Sequence, residues 1–150
     1  MAERFSYATS HIGICVRDLE RSRRFYIDGL GFTEFARFEM TRPIAEVEPP
    51  CDLTSYFMQK GGLRVELLHY RSPGVIGHPS TRRNQLGLTH LSFVVDDVDA
   101  AAHELEMFGG TIVEGTRSGQ DDPDDVQIIF LADPDGTRVE LMRLAKGQAW

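Results

Sequence analysis

Two stretches of the chain alternate apolar and polar residues in nearly the same way. "GLRVELLHY" runs from Gly62 to Tyr70, and "GTRVELMRL" from Gly136 to Leu144. Strict alternation marks a strand with one buried face. In both, Val and Leu share one face, while Arg, Glu and a further apolar residue share the other. A second pair of strands, "HIGICV" and "HLSFVV", starts at His11 and His90. Ile12, Ile14 and Val16 oppose His11, Gly13 and Cys15. Leu91, Phe93 and Val95 oppose His90, Ser92 and Val94.

The rest of each half follows the same order. Asp18 and Asp96/Asp97 come directly after the first strands and suit helix N-caps. Helices are predicted over 19–28 and 98–108, the second with Val98, Ala101, Ala102, Leu105 and Phe108 at helical spacing. "GLGF" and "FGG" end them with glycine. Three strands follow each helix, at 32–41, 54–60 and 63–70, then at 111–116, 126–132 and 137–143. "QKGGLR" and "DPDG" are the turns before the last strand of each half. "TRPIAEVEPPCD" carries too many prolines to be regular strand. The prediction is an α+β fold of two tandem βαβββ modules. Module 1 covers about 9–70, the linker 71–86 and module 2 about 87–144, in a single domain spanning 1–150. The histidines repeat at an offset of 79 residues and the glutamates at 74, so loops absorb the difference.

Composition narrows the class. With 150 residues, 41% hydrophobic and 26% charged, the chain has the size and balance of one globular domain. A net charge of −7 argues against nucleic-acid binding, which needs a basic face. Local basic clusters, "RSRR" at 21–24 and Arg82–Arg83, leave room for one anionic small molecule, although solvated surface is the plainer reading. Two cysteines, Cys15 and Cys51, are too few and too far apart for a disulfide framework and are expected to be reduced and structural. "MAERFSYATS" lacks the apolar run of a signal peptide, and no run approaches the roughly 18 residues of a membrane span. The expectation is a soluble cytoplasmic protein without membrane partners. The aspartates around Pro123 lack the EF-hand spacing, so this loop reads as solvated and mobile rather than as a calcium site. Trp150 reads as a frayed end.

The repeated polar residues carry the chemistry. A carboxylate among buried strand residues is costly unless it is paired or bound to a metal. One such glutamate is explained by an ion pair with the neighbouring arginine. Two, each with an equivalent histidine, point instead to His11, Glu66, His90 and Glu140 converging if the halves curve together. Two imidazoles and two carboxylates suit Zn, Ni, Co, Mn or Fe(II). The alternative is four polar residues hydrogen-bonded within open sheets.

"HIGICVRDLERSRRFYIDGLGF", "THLSFVVDDVDA" and "DPDGTRVELM" together resemble the vicinal oxygen chelate superfamily, also called the glyoxalase/bleomycin-resistance/dioxygenase superfamily, over about residues 9–144. The resemblance implies a U-shaped open half-barrel around a divalent metal held at His11, Glu66, His90 and Glu140, and a homodimer. It implies a small-molecule substrate with two adjacent oxygens. It also implies a lyase or isomerase that moves a proton next to a carbonyl, with Glu140 or Glu66 loosening to act as base; Glu48 and Glu114 are weaker candidates. Against glyoxalase I stand Cys15 and Tyr70, at positions where that family carries an arginine and an asparagine. "VELLHYRSPGVIGHPSTRRNQLGLTHLSFVVDDVDAA" is similar to methylmalonyl-CoA epimerase, with Arg71, Arg82 and Arg83 facing CoA phosphates. An extradiol Fe(II) dioxygenase needs a further His and Tyr, for which His69, His78 and Tyr56 are available. A non-catalytic drug-binding protein would use an aromatic groove, from Phe35, Phe38, Tyr56, Phe57 and Phe130, in place of the metal ligands. His103 reads as helix surface.

Overall fold

The computed structural model describes residues 6–120, 122 and 124–149. Asp121 and Pro123 of the acidic loop, and Trp150, lie outside the described residues. Among the described residues, eight strands form two four-stranded sheets. The first sheet contains β1 (Ile12–Cys15), β2 (Thr33–Met40), β3 (Asp52–Lys60) and β4 (Leu63–Ser72) in the order β1-β4-β3-β2. The second contains β5 (Leu91–Val94), β6 (Thr111–Ile112), β7 (Gln127–Ala132) and β8 (Arg138–Arg143) in the order β5-β8-β7-β6. In each, the first strand lies parallel beside the last, and the remaining neighbours are antiparallel. The expected α+β fold of two βαβββ modules is therefore present, with two mixed sheets that repeat one topology.

The chain forms two compact units. One holds the residues up to Arg17 together with Phe32–Val75, and thus the first sheet. The other holds Asp18–Gly31 together with Ile76 onward. The first helix belongs to this second unit, although it follows β1 in the chain. Gly29 and Gly110 explain the close fit there. A Cβ on Gly29 would sit 3.0 Å from Leu105 Cδ2, and one on Gly110 would sit 2.9 Å from Phe25 Cε2 and 3.0 Å from the Leu105 carbonyl oxygen. Tyr26, fully buried, donates a 2.9 Å hydrogen bond to Asp133 Oδ2. Arg21 pairs with Asp135 at 2.7 Å. Asp133 Oδ1 also accepts the amides of Asp135 and Thr137. The "DPDG" turn before β8 is thus built around a buried carboxylate.

Local chemistry accounts for the helix ends. Asp18 accepts from the Arg21 amide and opens α1 (Leu19–Arg23). Asp97 accepts from the Asp99 and Ala100 amides and opens α2 (Val98–Met107). Gly31 and Gly109, at φ of 74° and 95°, close the helical segments in the left-handed region. Two expectations change. Residues 24–29, predicted as α-helix, form a π-helical turn in which the Leu30 amide donates to the Phe25 carbonyl. The strand expected over 111–116 is only Thr111–Ile112; beyond it the Val113 amide still donates to the Phe130 carbonyl, but Thr116 Oγ1 donates back to the Val113 carbonyl and accepts the Phe130 amide. β4 also runs to Ser72, so the linker begins later than predicted.

Val65, Leu67, Met58, Ile14 and Val16 are buried in the first unit, and Val139, Leu141, Leu131, Leu91 and Val98 in the second. Of these, Ile14, Val16, Val65, Leu67, Leu91, Val139 and Leu141 lie on the faces the alternation assigned to the core. The opposite faces carry Glu66 and Glu140 together with apolar residues such as Phe57 and Phe130. No helix among the described residues is long and apolar enough to cross a membrane.

Candidate metal centre

The register of each sheet places a histidine and a glutamate side by side. Gly13 pairs with Glu66 and Ser92 with Glu140 across the parallel strands. His11 and His90 stand at the start of those strands. In the first unit His11 Nε2 is 3.1 Å from Glu66 Oε2. In the second His90 Nε2 is 3.6 Å from Glu140 Oε2. The other ring nitrogen is engaged the same way twice. His11 Nδ1 lies 2.9 Å from Ser10 Oγ, and His90 Nδ1 lies 2.8 Å from Thr89 Oγ1. When Nδ1–H donates to the hydroxyl, Nε2 keeps the lone pair that a metal needs, a common role for a ligand's outer partner.

Each imidazole also meets a phenylalanine ring edge to face. Phe57 is 5.0 Å from His11, and Phe130 is 5.3 Å from His90. Phe57 pairs with Glu66 in β3–β4, and Phe130 with Glu140 in β7–β8. The repeat is therefore one of four side chains per sheet: a hydroxyl, an imidazole, a carboxylate and a phenyl ring. The ion-pair explanation of the glutamates does not hold. Arg64 stacks over Phe35 at 5.9 Å, and Arg138 Nη2 donates to the Thr81 carbonyl.

The halves differ in two respects. Ser92 Oγ donates to Glu140 Oε2 at 2.6 Å, whereas Glu66 faces Gly13, which has no side chain to donate. Around Phe57 lie Phe38 and Phe35, at 5.5 and 6.1 Å, both half-exposed or more. Over Phe130 lies the guanidinium of Arg83, at 4.9 Å.

The donor set suits a divalent cation: two imidazoles whose Nε2 atoms each face a carboxylate, and two glutamates that pair with no arginine among the described residues. The structure shows them as two pairs, His11 with Glu66 and His90 with Glu140. Among the described residues no group of three or more His, Cys, Asp or Glu is gathered.

The remaining candidates separate clearly. Glu48 and Glu114 are exposed. Tyr56 is buried, His69 Nδ1 sits 3.1 Å from the Val16 carbonyl oxygen, and His78 is exposed at the Pro79 carbonyl, so none stands with the ligand pairs. Of the aromatic set, Phe35 and Phe38 are exposed, Tyr56 and Phe130 buried. Arg71 is taken up by Asp52 at 2.6 Å. Tyr70 lies on the Glu66 face of β4; burial, then the nearby Cys15, Cys51 and Glu66, raise its phenol above the ordinary value. Neither cysteine forms a disulfide, and Cys15 is exposed rather than structural core. His103 is on the exposed side of α2, 3.1 Å from Glu106. The sequence reading missed Ser10, Thr89, Ser92, Phe57's role and Phe130's role. Ser10 and Thr89 were recoverable, since they repeat at the same 79-residue offset as the histidines.

Residues 8–141 match the family described as Glyoxalase/Bleomycin resistance protein/Dioxygenase superfamily. The chain is 33% identical over 131 residues to YaeR of Escherichia coli (strain K12), covering 87% of this chain and 92% of that protein. It is 26% identical over 145 residues to the catechol-2,3-dioxygenase of Bacillus subtilis (strain 168), covering 94% of this chain but only 44% of the dioxygenase. Among solved structures, a glyoxalase family protein from Bacillus cereus superposes with a TM-score of 0.75 at 18% identity, covering 95% of this chain and 97% of that one. The trypanothione-dependent glyoxalase I of Leishmania major superposes with a TM-score of 0.64 at 23% identity, covering 92% and 87%.

Proposed function

Because the chain belongs to the glyoxalase/bleomycin resistance protein/dioxygenase superfamily, we propose that it is a metal-dependent lyase or isomerase acting on a small molecule with two adjacent oxygens. The observation that carries this reading is the duplicated ligand pair. In both sheets a histidine presents Nε2 beside a glutamate Oε2 while a hydroxyl engages Nδ1. His11, Glu66, His90 and Glu140 would hold the cation, of Ni, Co, Zn, Mn or Fe. When bound, such a cation supplies Lewis-acid stabilisation of an oxyanion that develops as a proton leaves the neighbouring carbon.

The protein's part is to hold the substrate and move that proton. A carboxylate within hydrogen-bond reach of the carbon acid takes the proton and returns it. Glu140 and Glu66, the carboxylates of the two pairs, are the groups proposed for this. The Ser92 bond ties down Glu140, while Glu66 faces a glycine, so Glu66 is the freer base and Glu140 the anchor. Phe57 and Phe130 each meet one imidazole edge to face and help to fix its orientation.

Resemblance to the catechol-2,3-dioxygenase supports a second reading, an extradiol-type Fe(II) enzyme. It is the weaker one, because His69, His78 and Tyr56 are away from the ligand pairs. A purely drug-sequestering protein would have no use for the repeated ligands. We also propose a homodimer, which sedimentation velocity tests directly. The test of the main reading is wash-in of solvent deuterium at the carbon next to a carbonyl, in candidate hemithioacetals and acyl-CoAs, by metal-loaded protein. Exchange that disappears in Glu66→Gln supports it. Catechol ring opening by the iron form, with no exchange, contradicts it.

A further inference from the structure

The ligand quartet is repeated in the two sheets, but what surrounds it is not, and the difference bears on the substrate. In the first unit the ring beside the histidine is extended by two more rings, Phe38 and Phe35. In the second unit the equivalent ring, Phe130, carries the guanidinium of Arg83 on its face at 4.9 Å. Arg83 thus stands one aromatic ring away from the His90 imidazole.

Its position is built rather than accidental. Arg138 lies on the ligand-bearing face of β8, two residues before Glu140, and its Nη2 donates to the Thr81 carbonyl, which fastens the linker to that strand. Ser80 Oγ then bonds the Arg82 carbonyl at 2.7 Å and Gln85 Oε1 at 3.1 Å, and the Gln85 amide donates to the Arg82 carbonyl. This turn presents Arg83. Stacking on a phenyl face holds the carbon end of the guanidinium plane while its N–H groups stay available. Other arginines of this acidic chain are neutralised locally: Arg21 by Asp135, Arg23 by Glu20, Arg37 by Glu39, Arg71 by Asp52 and Arg117 by Asp99. Among the described residues Arg83 has no carboxylate partner. An oriented, unpaired guanidinium beside a metal-ligand histidine matches a planar oxyanion, which it binds with two parallel hydrogen bonds.

We propose that Arg83 is a specificity residue that binds an anionic group of the substrate, a carboxylate or phosphoryl oxygen pair, a few bonds from the oxygens the metal would hold. This rests on the metal-dependent reading above. The test uses the full-length protein loaded with Co(II) and three hydroxamates, which present two adjacent oxygens to a metal. N-hydroxysuccinamate ends in a carboxylate, 3-phosphonopropanohydroxamate in a phosphonate, and butyrohydroxamate in a methyl group. Calorimetric titration should show at least one of the anionic probes binding about tenfold or more tightly than butyrohydroxamate to the wild-type protein. Arg83→Met should remove that preference, and Arg83→Lys should keep part of it, with Co(II) content and melting temperature unchanged. Which anionic probe is preferred identifies a carboxylate or a phosphoryl group. Equal affinities for all three in the wild-type protein, or a preference that survives Arg83→Met, would overturn the role of Arg83 while leaving the metal reading intact. Failure to take up Co(II) would overturn both.

Discussion

Ser92 and Gly13 hold the same place in the two sheets, each across from a glutamate, and they differ by a hydroxymethyl side chain. At 2.6 Å the Ser92–Glu140 bond is a short charge-assisted one, and such outer partners usually contribute ten- to a hundredfold to metal affinity. Ser92→Ala is therefore expected to weaken Co(II) binding about tenfold, read by competition with a chelator, while removing the Ser10 hydroxyl (Ser10→Ala) should act in the same direction through His11. An unchanged Co(II) affinity in Ser92→Ala would mean that Glu140 needs no outer support. The single residues of the site were partly legible. His11, Glu66, His90 and Glu140 show in the sequence because alternation puts them opposite the core faces. Phe57 and Phe130 do not. They precede their glutamates by nine and ten residues, because the turn from Lys60 to Leu63 is shorter than that from Ala132 to Arg138. A fixed-offset comparison cannot align them.

The elements that position the site depend on the seam in the second unit, where the first helical segment, α2 and the "DPDG" turn meet. Burial, followed in size by bonds that partly oppose it, raises the Asp133 carboxyl above its ordinary 3.8. A carboxyl whose folded pKa exceeds its unfolded one binds its proton more tightly in the folded state, so folding loses stability as pH rises through the interval between the two values. The stability of wild type relative to Asp133→Asn should therefore fall on going upward from about pH 4, as measured by urea unfolding at several pH values. A difference that rises over that interval would contradict the assignment. Gly110 tests the packing itself. A Cβ there meets the Phe25 ring and the Leu105 backbone oxygen, so Gly110→Ala should cost about 1–3 kcal/mol and lower the melting temperature by several degrees. The capped starts and glycine ends of the helices were readable from Asp18, Asp97, Gly31 and Gly109. The π-helical turn at 24–29 was not, because over six residues α and π windings bury nearly the same side chains. Nor was the end of β6 at Ile112, beyond which the Val113 amide still bonds the Phe130 carbonyl but the Phe130 amide goes to the Thr116 hydroxyl.

At the scale of the molecule, the doubling of one βαβββ pattern was legible, because two kinds of strand recur in the same order with the same alternation, at offsets of 79 and 74 residues. What the loops do was not legible. The linker arginine that stacks on Phe130 depends on a hydrogen bond from Arg138 that no periodicity encodes. A shared fold does not decide the substrate. The account stands on one claim, that the two His–Glu pairs act together on one metal ion. The direct measurement is the metal content of protein purified without chelator or histidine tag, by mass spectrometry, beside the His11→Ala and His90→Ala variants. About one equivalent of Ni, Co, Zn, Mn or Fe per chain, lost in either variant alone, is the predicted result. Protein that stays metal-free even after reconstitution, or that keeps its metal in both variants, would contradict it.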